Sequence, residues 1–114
     1  MGGASSRLGW SAKEVGDGNI NFVYIVSNKS NTFSSNAVIV KQSLPYVRCV
    51  GEAWPLTQDR VRYEVEALRT AHGYIPAHVP AVYLFDKPMA VIVMRYLEPP
   101  HVVLRTGIIA GKLY

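Results

Sequence analysis

Three features of this chain could together handle phosphate: the turn Gly16-Asp17-Gly18-Asn19-Ile20-Asn21, the lysine that closes Val38-Ile39-Val40-Lys41, and a carboxylate on the segment beyond. Glycines let a backbone turn tightly and bring its N–H groups close to an anion, and Asn19 and Asn21 add side-chain donors. In phosphoryl-transfer enzymes such a turn covers the ATP phosphates, a strand lysine contacts them, and a helical glutamate holds that lysine in place. Each feature alone has a plainer reading. A Gly-Asp-Gly turn serves as an ordinary hairpin loop, and this one matches neither a Walker A loop nor the dinucleotide fingerprint. A lysine at a strand end can simply extend its ammonium to water.

Two glutamates compete to partner Lys41, and helical periodicity separates them. At about 100° per residue, Glu64 falls about 60° from Val61 and borders the apolar stripe, whereas Glu66 falls on the far side. Glu64 is thus the expected sheet-facing carboxylate; its alternative is a surface pair with Arg60 or Arg69, worth a few tenths of a kcal/mol. Further on, Met94-Arg95-Tyr96-Leu97 runs into Glu98-Pro99-Pro100. In a two-lobed kinase such a segment is the hinge, whose backbone pairs with adenine while an apolar residue, here Met94, bounds the pocket. An edge strand ending at a proline turn would read the same way.

The elements that must carry these groups are mostly strands. Residues 13–15 and 20–26 read as a hairpin across the glycine turn, and residues 37–41 as a third strand after the polar stretch 28–36. Residues 43–55 hold Pro45, Gly51, Trp54 and Pro55 and are expected to be an irregular connection, with Trp54 and Tyr46 either anchoring it or stacking on a ligand. A helix follows, capped by Thr57, with Asp59 in its first turn and Val61, Val65 and Leu68 at helical spacing. Residues 82–85 and 89–94 make a second hairpin across Asp86-Lys87-Pro88. The expectation is an α+β fold, order βββαββ: a five-stranded antiparallel sheet with one packed helix.

Composition narrows the partners. The 114 residues carry 12 Lys and Arg against 8 Asp and Glu, a formal net charge of +4 that suits an anionic ligand. The basic residues are dispersed, so neither nucleic acid nor membrane is an expected partner. The single cysteine, Cys49, excludes an internal disulfide and fits a reducing, cytoplasmic setting. His72, His78 and His101 lack the spacing of a metal site, and no metal ligand is expected here.

The motifs Glu14-Val15-Gly16-Asp17-Gly18-Asn19-Ile20-Asn21-Phe22-Val23, Val40-Lys41-Gln42, Leu44-Pro45-Tyr46-Val47-Arg48, Gly51-Glu52-Ala53-Trp54-Pro55-Leu56-Thr57, Asp59-Arg60, His78-Val79-Pro80 and Met94-Arg95-Tyr96-Leu97-Glu98-Pro99-Pro100-His101 closely resemble methylthioribose kinases, the plant-like form in particular. The resemblance covers about residues 14–111. It implies a protein-kinase-like N-terminal lobe over residues 14–94, a hinge and the start of a second lobe over 95–114, and a disordered leader over 1–13.

Position by position, the resemblance makes Gly16, Asp17, Gly18, Asn19 and Asn21 the phosphate-covering loop, Lys41 the phosphate-contacting lysine, Glu64 its partner, and Met94, Arg95, Tyr96 and Leu97 the adenine-binding edge. Ile39 stands where many protein kinases carry alanine, which implies a narrower adenine pocket. The activity implied is ATP- and magnesium-dependent phosphorylation of S-methyl-5-thioribose at its anomeric hydroxyl, a step of methionine salvage. The base and magnesium-binding carboxylates of that family lie in a C-terminal lobe. These residues therefore read as a fragment that binds ATP, meets S-methyl-5-thioribose only with the missing lobe, and does not turn over alone. The alternative is a non-catalytic module that binds nucleotide weakly, forms a homo-oligomer or associates with a full-length kinase.

Overall fold

The computed structural model describes residues 9–16, 18, 20–28 and 37–114. Its centre is a five-stranded sheet in which every neighbouring pair is antiparallel, in spatial order β1-β2-β3-β7-β6. The strands are β1 (Trp10–Glu14), β2 (Asn21–Asn28), β3 (Ala37–Ser43), β6 (Val82–Asp86) and β7 (Val91–Arg95), with α1 (Arg60–Tyr74) between β3 and β6 in the chain. The fold is α+β, and its five-stranded sheet and packed helix follow the order expected from the sequence.

Val61 and Val65, one helical turn apart, are buried against Ile92 and Met94 of β7, with Ile39, Leu68, Val82 and Phe85 packed around them. Antiparallel partners share a face, so Ile39↔Met94 and Lys41↔Ile92 place Lys41 on the side of the sheet that α1 covers. The helix ends where Ile75 N–H returns to Ala71 O at 2.8 Å and Pro76 withdraws the next donor.

Several boundaries differ from expectation. β1 starts at Trp10, inside the stretch read as a leader, because residues 10–14 find a full row of partners on β2, from Trp10↔Asn28 to Glu14↔Tyr24. β3 continues two residues past Lys41, so the lysine sits within the strand rather than at its end. The connection expected to be irregular contains a small hairpin, β4 (Tyr46–Val47) with β5 (Gly51–Pro55). Gly51 takes φ 81 at its turn, and Pro55 is tolerated because it sits on an open edge. Thr57 does not cap α1: its hydroxyl accepts from Asp59 N–H at 3.1 Å, one step before the helix, and Asp59 occupies the N-cap position. A short helix, α2 (Leu104–Ile109), follows β7.

Candidate functional site

Lys41 projects from the middle of the sheet toward α1, where its Nζ meets Glu64 Oε1 at 2.6 Å. Val61 and Val65 fix the rotation of α1 by burying their stripe, and Glu64, at the border of that stripe, is carried to the lysine. The two side chains keep 22% and 34% of their exposure, so the pair is wet on one side and worth about 1 kcal/mol to the fold. Glu66 faces outward and pairs with Arg62 at 3.2 Å instead.

The glycine turn joins β1 to β2. Val15 N–H donates to Val23 O at 2.9 Å to close the hairpin, and Gly16 takes φ 81, a conformation that favours glycine. Asp17 and Asn19, both expected to belong to the phosphate-covering loop, lie outside the described residues. Asn21 opens β2 opposite Ser43, two positions along β3 from Lys41, a separation of about 7 Å along the strand.

The candidate hinge lies across the sheet. Met94 is buried beside Ile39, and Arg95 remains in β7, its N–H bonded to Ala81 O at 2.9 Å, so the chain leaves the sheet only at Tyr96. Below this edge is a largely apolar groove of about 460 Å³, walled by Val15, Ile25, Ile39, Met94, Tyr96 and Leu97 among others. Arg95 also lines it. That volume lies within the range of small-ligand sites. Lys41 is not part of the wall but stands two residues along β3 from Ile39, on the same face. The geometry therefore sets an apolar slot beside a glutamate-held ammonium, with a glycine turn at the sheet's end.

Sequence reasoning gave no site role to two arginines. Arg48, on the loop between β4 and β5, donates from Nη1 to Glu14 Oε1 at 3.0 Å and to Gly18 O at 3.2 Å, with its guanidinium 4.3 Å above the Phe22 ring. Arg60, the first residue of α1, donates from Nη2 to Ile20 O at 2.5 Å and to Asn21 Oδ1 at 3.3 Å, and from Nη1 to Thr57 O. Burial pushes the Arg60 guanidinium down from its ordinary range while Glu64 acts the other way; it stays charged. At the N-terminus of α1, a hydrogen bond from Arg62 holds the Asp59 carboxyl below its usual value, with burial opposing, and Arg62 is raised in turn.

Of the two readings of Trp54, the anchor is not met: it stands 57% exposed on β5. His78 and His101 are exposed, His101 Nδ1 lies 2.8 Å from Glu98 O, and among the described residues no three or more His, Cys, Asp or Glu side chains gather as a metal site. No helix among the described residues is long and apolar enough to cross a membrane.

Comparison with known proteins shows what this chain is similar to in sequence. The chain is 51% identical over all 114 residues to methylthioribose kinase 1 of Oryza sativa subsp. japonica. This chain is similar along its whole length to methylthioribose kinases. It is 46% identical over 114 residues to methylthioribose kinase 2 of the same rice, and 44% identical over 104 residues, 91% of the chain, to the methylthioribose kinase of Cronobacter sakazakii. The chain spans about 25% of the length of each of these relatives. No family model matches it. The resemblance read from the motifs thus extends over the whole chain, with plant kinases among the relatives.

Proposed function

We propose that this chain is the ATP-binding lobe of a kinase that phosphorylates S-methyl-5-thioribose at its anomeric hydroxyl, giving S-methyl-5-thioribose 1-phosphate in methionine salvage, a cytoplasmic reaction. The observation that carries this reading is the 2.6 Å pair between Lys41 and Glu64 beside the apolar groove. ATP fits these residues: the groove has the size and apolar lining for an adenine and ribose, and the ammonium lies where the phosphates would extend from it. Bound ATP supplies the phosphoryl group, and magnesium accompanies its phosphates on carboxylates that the resemblance assigns to a C-terminal lobe. Within this chain, Lys41 gives a positive charge to the phosphates, and Glu64 holds that charge in one orientation. Gly16, Gly18 and Asn21 cover the phosphate end, while Met94, Tyr96 and Leu97 bound the base; Asp17 and Asn19 are assigned to the same loop by sequence.

In this reading the isolated chain binds ATP but does not transfer its phosphoryl group, since positioning of the nucleophile and stabilisation of the developing charge come from elsewhere. Calorimetric titration with ATP is the direct test. The chain binds ATP, and Lys41→Met, which removes a charge-assisted contact worth about 1.5–3 kcal/mol, weakens it by about ten- to a hundredfold. No binding, or binding indifferent to Lys41→Met, refutes the assignment. Formation of methylthioribose 1-phosphate by the pure 114-residue chain would refute the inactive-lobe part alone.

One observation favours a second role, association with a full-length kinase. Val102, Val103, Leu104, Ile108 and Ile109 are all exposed, an apolar surface of the kind that marks an interface. Sedimentation of the chain with a full-length methylthioribose kinase shows co-migration if this holds and independent monomers if it does not.

A further inference from the structure

We propose that Arg48 and Arg60 are positioning residues that set the shape of the glycine turn for phosphate, and that Arg60 couples that turn to the helix holding Lys41 in place. The inference rests on the nucleotide reading and deepens it. Each arginine donates to one carbonyl of the turn: Arg48 to Gly18 O at 3.2 Å and Arg60 to Ile20 O at 2.5 Å. Ile20 O also accepts Leu44 N–H at 3.1 Å, so its two lone pairs are both engaged and the peptide is fixed from two sides. A carbonyl held by a guanidinium leaves the N–H of its own peptide facing the opposite way, the side from which a turn offers donors to an anion.

The two braces come from different elements. Arg48 reaches from the β4–β5 loop, keyed by its ion pair with Glu14 and its stacking over Phe22, the two residues that flank the turn. Arg60 reaches from the first turn of α1, and Glu64 lies four residues on, on the same side of that helix. Any shift of α1 that withdraws Arg60 from Ile20 also withdraws Glu64 from Lys41. The Nε of Arg60 is buried with no hydrogen-bond partner among the described residues, so its position is set by its other two nitrogens. This makes the two arginines more than surface charges: they act through the turn, and their effect should be confined to the part of the ligand that the turn touches.

The experiment titrates the chain and its variants with ATP and, separately, with adenosine. Arg48→Ala and Arg60→Ala weaken ATP at least tenfold and leave adenosine within twofold, while Arg60→Lys, which keeps one donor for Ile20 O, stays within about threefold of the parent for ATP. Hydrogen exchange without ligand rises at residues 18–22 in both alanine variants, which loss of a direct phosphate contact would not produce. If Arg60→Ala does not fold, Arg48→Ala, at an exposed position, carries the comparison. Equal losses for ATP and adenosine, unchanged ATP affinity, or unchanged exchange in the turn overturns the inference while the nucleotide reading stands. Parent chain that binds neither ligand brings down the nucleotide reading and this inference with it.

Discussion

Neutralising Glu64 tests how the Lys41 pair works. At 2.6 Å the unscreened attraction between the two charges is about 1.6 kcal/mol in bulk water and about 6 kcal/mol at an effective dielectric of about 20. Side-chain exposures of 22% and 34% put the pair nearer the watery limit, and ordering two long side chains takes back much of the gain. The net coupling should be about 1 kcal/mol. Urea denaturation of the parent, Glu64→Gln, Lys41→Met and the double variant measures it as a double-mutant cycle, and 1 M salt should remove most of it. The consequence for ligand is larger in kind: a lysine released from its partner regains about 1 kcal/mol of rotamer freedom, so Glu64→Gln should bind ATP about fivefold more weakly with adenosine unaffected. A coupling above about 3 kcal/mol would show a desolvated, fold-bearing pair, and zero coupling would show no pair in solution; either result refutes the reasoning.

Three other outcomes follow from the packing and the charges. Val65 is 2% exposed at the centre of the helix–sheet contact, so Val65→Ala should cost about 2–3 kcal/mol by urea denaturation, and a cost below about 0.5 would mean that α1 is not seated there. Gly51 holds φ 81 with open space around it, so Gly51→Ala should cost about 1 kcal/mol through backbone strain alone, read by thermal melting. The lowered Asp59 carboxyl contributes stability that is present above its ordinary value of 3.8 and lost as pH falls through the lower folded value. Melting temperature should therefore drop as pH falls from about 3.8 through that lower value, and Asp59→Asn should flatten that part of the profile.

Local chemistry announced most of the sheet and the helix. Runs such as Phe22, Val23, Tyr24, Ile25 and Val26 mark a strand by their side chains, and Val61, Val65 and Leu68 mark the buried stripe of α1, from which the choice of Glu64 over Glu66 follows by angle alone. What was hidden depends on partners distant in sequence. Trp10, Ser11 and Ala12 look like a leader until β2 supplies their ladder, as in Ser11 Oγ to Ser27 Oγ at 3.3 Å. Pro45 and Pro55 argue for irregular chain, yet Pro45 precedes a short hairpin and Pro55 is its last paired residue, set opposite Tyr46. Arg48 and Arg60 sit 30 and 40 residues from the carbonyls they hold, and no periodicity within either segment points that far.

The helix therefore has two jobs that the sequence states only once. Residues 60 and 64 are a turn apart on one side, reaching a loop carbonyl and a strand lysine, while residues 61 and 65, about 100° around, lock the rotation that makes both reaches possible. A helix held by a shallow stripe of two valines can slide or rotate at modest cost, whereas one tied at both contacts cannot move without breaking an ion pair and a charge-assisted hydrogen bond together. Weakening the valine stripe should on this logic uncouple the two: Val65→Ala, assayed where it remains folded, should raise exchange in the glycine turn as well as in α1. Exchange confined to α1 would show that Arg60 does not transmit the helix's position to the turn.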